Sequence, residues 1–107
     1  MFKQIISVAI AILLLALPGL AVAGAKENVT AIFKSNEEPT AKDAIWTADN
    51  IFKVGVFDDG SSRNGYASYV CSVLNEHGIH GTWVQIIDIT TLVNTNKWNK
   101  LGEARCS

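Results

Sequence analysis

The chain has few of the residues from which catalytic and metal centres are usually assembled. Its 107 residues include two cysteines and two histidines. There is no C-x-x-C pair, which speaks against disulfide exchange of the thioredoxin kind. Ser61 and Ser62 lack the G-x-S-x-G context of a nucleophile elbow. Gly60 and Gly65 are not followed by Gly-Lys-Ser/Thr, so neither phosphate-loop pattern is met. There is no excess of either charge, with nine basic against ten acidic side chains. That balance speaks against nucleic acid or an anionic membrane as partner. No internal repeat or low-complexity tract is present. These absences point away from an enzyme, and no cofactor is implied.

Long hydrophobic runs are also scarce, with one exception. Residues 1–23 read MFKQIISVAIAILLLALPGLAVA. Lys3 precedes the apolar run from Ile5 to Leu17, Pro18-Gly19 breaks it, and Ala21-Val22-Ala23 is a small-x-small cleavage pattern. Those are the three regions of a secretory signal peptide. The run is just long enough to anchor in a bilayer, but the break and the A-x-A pattern favour cleavage after Ala23. No cysteine lies there to carry a lipid. The expectation is a periplasmic or secreted domain, residues 24–107, out of the membrane once the leader is removed. Its 84 residues carry eight basic and ten acidic side chains.

A single domain of that size has a marginal core and gains from a covalent staple. Cys71 and Cys106 are both in the mature part, and an even count in an exported chain is read first as a disulfide. Closing the loop between them stabilises by roughly 3.8 kcal/mol in the chain-entropy model. Two free thiols, or a bond to another chain, are the alternatives.

Three elements stand out. In Ile51–Phe57, Phe52, Val54 and Val56 share one face at period two, opposite a mixed face of Ile51, Lys53, Gly55 and Phe57. Gly55 leaves a gap there for an approaching group. Over residues 62–77, Tyr66, Tyr69, Val70, Val73 and Leu74 form a helical stripe, with Ala67 and Cys71 beside it and Gly78 placed to end the helix. Residues 82–89 are apolar on both faces, as in a covered central strand. Strand, helix, strand in that order predicts a small α/β or α+β domain around a βαβ-like unit. The flanks are less regular. Asn28–Lys34 fits an edge strand or a short helix, Ser35–Thr40 a loop, and Ala41–Asn50 one helical turn ending near Trp46. A short helix near Thr90–Asn94 precedes an extended segment returning Cys106 to Cys71.

Three groups are candidates for function. Asp58 and Asp59 end a strand just before a helix, where ligands bind in open α/β sheets. The twelfth position from either is Tyr69 or Val70, not the glutamate of a calcium loop. Turn chemistry explains them better, with Ser61, Ser62 or Asn64 capping the helix. Cys71, Glu76, His77 and His80 are ligand types suited to zinc or copper, but no second ligand pair accompanies them. Trp98 and Tyr66 are candidates for a binding surface, since such side chains anchor interfaces. Trp83 is read as core. The leading expectation is a small exported, disulfide-stabilised binding protein whose partner is a protein or a small ligand. A metal-binding protein using Cys71, His77 and His80 or Asp58 and Asp59, and a thiol redox protein, are the alternatives.

Overall fold

The structure is a computed structural model that describes residues 18–107, with side chains from Gly24 onward. Most of the expected leader, residues 1–17, lies outside the described residues. Helix α1 (Pro18–Lys34) leads into strands β1 (Ala41–Ala48) and β2 (Ile51–Val56). Helix α2 (Asn64–Glu76), strand β3 (Trp83–Asp88), helix α3 (Ile89–Thr95) and strand β4 (Lys100–Arg105) follow. The strands form one mixed sheet in the order β1-β2-β3-β4. β2 and β3 run parallel through the α2 crossover, and β1 and β4 flank them antiparallel. The domain is α+β, built around the expected βαβ-like unit.

The core lies on one face of this sheet. Phe52, Val54 and Val56 of β2 and Val84 and Ile86 of β3 have no exposed surface there. Val29 and Phe33 of α1, four residues apart, reach the same core and are fully buried. That i, i+4 pair makes Asn28–Lys34 part of a helix and not an edge strand. The Thr30 hydroxyl donates to the Lys26 carbonyl at 2.8 Å and accepts the Trp46 indole N–H at 3.1 Å, tying α1 to β1.

β1 corrects the expected helical turn at Ala41–Asn50. The segment is a strand, with Ala41 and Ala44 buried on the core face of the sheet. The small side chains let α1 lie close against β1. Residues 49 and 50 then turn the chain, so that Ala48 faces Ile51 and Trp46 faces Phe52.

α2 also departs in detail from the expected stripe. Its buried residues are Ala67, Val70, Cys71, Val73 and Leu74, while Tyr69 is 45% exposed. The helix is thus rotated toward its small residues, which permit close packing on the sheet. The expected serine cap is absent. Arg63 occupies the cap position without a side-chain bond, and the Ser62 hydroxyl accepts only the Asn64 N–H, at 3.3 Å. Instead, α2 begins against β4. The Arg63 N–H donates to the Leu101 carbonyl at 3.1 Å, and the Glu103 N–H donates to Asn64 Oδ1 at 3.0 Å. These bonds satisfy backbone groups on the edge of β4 that would otherwise be open to pairing. Gly78 ends the helix with a φ of 78°.

Cys71 and Cys106 are joined in a disulfide, and no cysteine among the described residues is free. The bridge ties the middle of α2 to the end of β4, where the Cys106 N–H also donates to the Thr82 carbonyl at 2.7 Å. No helix of the described residues is long and apolar enough to cross a membrane.

Candidate functional site: a cleft on the open sheet face

Helices α1 and α2 cover one face of the sheet. The opposite face follows from strand register. Ile45, Lys53, Gln85 and Glu103 lie side by side across the four strands. Asp43, Gly55, Ile87 and Lys100 form the next row toward α3. Along the sheet's other margin run Ile51, Trp83 and Arg105.

The antiparallel neighbours β3 and β4 would need only a tight turn to join them. Here residues 89–99 intervene and fold back over this face. The side chain of Ile89 sits above Gly55, where an added Cβ would lie 2.9 Å from Ile89 Cδ1. That is the approaching group for which the missing side chain at Gly55 leaves room. α3 ends at Asn96, whose left-handed φ of 59° redirects the chain. Trp98 then lies with its ring centroid 4.5 Å from Lys53 Nζ.

Between this excursion and β1 lies a cleft of about 430 Å³. Its apolar walls are Ile45, Ile87, Ile89, Leu92 and Trp98, and it continues over the β1 edge to Thr30 and Lys34 of α1. Ile45 and Trp98 are 51% and 47% exposed, large apolar side chains left open to solvent at its mouth.

Charge on this face is uneven. Asp43 pairs with Lys34 at 3.7 Å, and Glu103 pairs with Lys100 at 2.8 Å. Glu103 also accepts the Trp83 indole N–H at 2.8 Å, and the Lys100 and Trp83 donors hold its carboxyl below the usual range. Arg105 stacks over Trp83 at 4.0 Å. Trp83, expected in the core, is therefore a partly buried residue of the open face with its ring already covered. Among the described residues, Lys53 has no carboxylate partner and no hydrogen bond to its amine.

The excursion is anchored by Asp88. Its carboxylate caps α3, accepting the Thr91 hydroxyl at 2.8 Å and the N–H groups of Thr90 and Thr91 at 3.1 and 3.3 Å. The Thr91 hydroxyl above all, with those backbone donors, lowers the acid's pKa. A lowered folded-state pKa contributes stability that is present above the unfolded value of about 3.9 and lost as pH falls through the folded value. Amide exchange should show α3 losing protection before α2 as pH is lowered from about 5 to about 2. Asp88→Ala should produce the same loosening of α3 at neutral pH.

The other sequence candidates lie elsewhere. Asp58 accepts the Gly60 N–H at 2.9 Å, and Asp59 accepts the Ser61 N–H at 3.0 Å and its hydroxyl at 2.5 Å. The Ser61 donors lower the Asp59 pKa, helped by Arg63 at 3.5 Å. Each carboxylate thus serves its own loop. The sulfur of Cys71 is held by Cys106. His77 caps the end of α2, and His80 is exposed beyond it. Among the described residues, no three histidine, cysteine or acidic side chains gather as a metal-binding set. Tyr66 packs half-buried against the core on the helical side of the sheet, its ring stacked on Tyr69 at 5.9 Å. Burial pushes its hydroxyl above the usual phenol range. Tyr66 and Trp98 are therefore on opposite faces. No family model matches the chain, and neither a curated protein nor a solved structure matches it.

Proposed function

We propose that the protein is an exported, disulfide-stabilised binding domain that acts without catalysis and presents the cleft beside Trp98 to its ligand. The observation that carries this reading is the 89–99 excursion. A turn would join β3 to β4, yet the chain builds a wall over the open face and leaves Trp98 and Ile45 exposed at its rim. Concave, mostly apolar clefts with a few polar groups are the usual form of small-ligand sites. Export is supported by the leader pattern and by the disulfide, which persists in oxidising compartments. The described residues that α1 brings to the core, Ala25, Val29 and Phe33, all lie beyond Ala23, so cleavage there leaves them in place.

Phenol, a neutral aromatic probe with one hydroxyl, tests the site when titrated into the isotope-labelled domain. Shifts should concentrate on the amides of Ile45, Lys53 and Leu92 and on the Trp98 indole, and Trp98→Ala should weaken them. Shifts scattered evenly over the surface would remove the cleft as the binding site. For export, fractionation with intact mass should find a chain beginning at Gly24 outside the cytoplasm.

A further inference from the structure

We infer that the cleft takes a small amphiphilic monocarboxylate, its apolar body against Ile87, Ile89 and Leu92 and its carboxylate at Lys53 Nζ. The inference rests on the cleft being the binding surface, and it adds the chemistry of the ligand.

Three observations converge on it. The first is size: about 430 Å³ falls in the lower part of the range of small-molecule sites, about 300–1,000 Å³. A small molecule fills such a space, whereas a folded partner rests on its rim. The second is the lining, in which branched aliphatic side chains and the indoles of Trp46 and Trp98 surround a single uncommitted cation. The third is charge. The chain as a whole is slightly acidic, with a formal net charge of −1. Yet the strands of the open face carry Lys53, Lys100 and Arg105 against Asp43 and Glu103, and Lys34 of α1 adds a further positive charge where the cleft crosses the β1 edge. Both carboxylates are already bridged to lysines. Arg105 is set over Trp83, away from the cleft wall. Lys53 alone is left to meet an anion inside the cleft, and it has one positive charge to match.

The position of Lys53 suits this role. Its amine lies over the Trp98 ring, an attraction that holds it at the cleft mouth without satisfying its three N–H donors. A carboxylate arriving there gains charge-assisted hydrogen bonds without displacing a protein anion. A neutral amphiphile gains only the apolar contact. A cationic one meets Lys53 as a like charge.

The test uses three probes of equal chain length, octanoate, 1-octanol and octylammonium, titrated at low salt and followed by backbone and indole NMR shifts. Octanoate should bind about tenfold or more tightly than 1-octanol, with octylammonium weakest. Lys53→Met keeps the aliphatic stem and removes the charge. It should bring octanoate down to the affinity of 1-octanol and leave 1-octanol unchanged, with the spectrum outside the cleft unaltered. Added salt should weaken octanoate alone. Equal binding of octanoate and 1-octanol by the unmodified protein would overturn the carboxylate assignment while the cleft stays a binding site. So would binding of octanoate that Lys53→Met does not change. Failure of all three probes where phenol still maps to the cleft would overturn the ligand class alone. Failure of phenol as well would remove both readings. A response to phosphatidylglycerol vesicles with none to monomeric octanoate would replace the small ligand by a membrane surface.

Discussion

Replacing both Cys71 and Cys106 by alanine is expected to lower the free energy of unfolding by about 3–4 kcal/mol. Per-residue stabilities put a domain of 84 residues at roughly 4–13 kcal/mol in total, so the bridge supplies a quarter or more of it. The mechanism acts mainly on the unfolded chain, which loses the loop constraint between positions 71 and 106. Alanine is the right replacement because Cys71 is only 8% exposed. A serine there would bury a hydroxyl with no partner and add its own cost. The folded sheet should survive, since β4 keeps its pairing with β3 and Cys106 keeps its bond to the Thr82 carbonyl. With a urea slope of roughly 1 kcal/mol/M, the midpoint should fall by about 3 M. Unmodified protein treated with reductant should show the same fall, and without reductant neither cysteine should react with an alkylating agent. A midpoint within about 1 M of the original would mean that the unfolded chain already holds these segments together. It would also remove the staple from the account of how so small a core is stable.

The bridge was legible in the sequence because compartment and parity bear on it directly. β2, α2 and β3 were legible because each carries a clear period, and because Gly78 marks the helix end. β1 was not. Ala41–Asn50 shows no alternation of large apolar residues, and only the presence of α1 above Ala41 and Ala44 explains why small residues sit in a strand. The rotation of α2 was hidden for a similar reason. Tyr66 and Tyr69 outweigh Ala67 in any hydrophobic pattern, yet close packing on the sheet selects the small side. The cleft was the least legible part. Ile45, Lys53, Ile87 and Leu92 come from three strands and a helix, and no local pattern connects them. Lys53 and Gly55 did stand out as the mixed second face of their strand, and Trp98 as a tryptophan among polar neighbours. Those were the available signals. Joining them required the register of the sheet and the path of residues 89–99.

Gly102→Ala is expected to destabilise the domain by about 3–5 kcal/mol, although it adds only one methyl group. The new Cβ would lie 2.3 Å from the Arg63 carbonyl carbon and 2.5 Å from the Asn64 nitrogen. Both are backbone atoms at the start of α2, so no side chain can swing away to relieve the contact. Either α2 lifts off β4 or β4 slides on β3. The first breaks the Arg63–Leu101 and Glu103–Asn64 hydrogen bonds, at about 1 kcal/mol each, on top of an overpacking cost of about 1–3 kcal/mol. The same substitution at Gly65 supplies the control. That glycine lies one residue into α2 with nothing within 4 Å of an added Cβ. Gly65→Ala should therefore be neutral or stabilise by up to about 1 kcal/mol. The denaturant midpoint should thus fall for Gly102→Ala and hold or rise for Gly65→Ala. The Gly102 variant should also associate, because lifting α2 leaves Leu101 and Glu103 with unpaired backbone groups on an edge strand. Sedimentation velocity should show the unmodified domain and the Gly65 variant unchanged while the Gly102 variant forms larger species with rising concentration. A Gly102 variant as stable as its Gly65 counterpart would mean that the start of α2 does not hold the β4 edge closed.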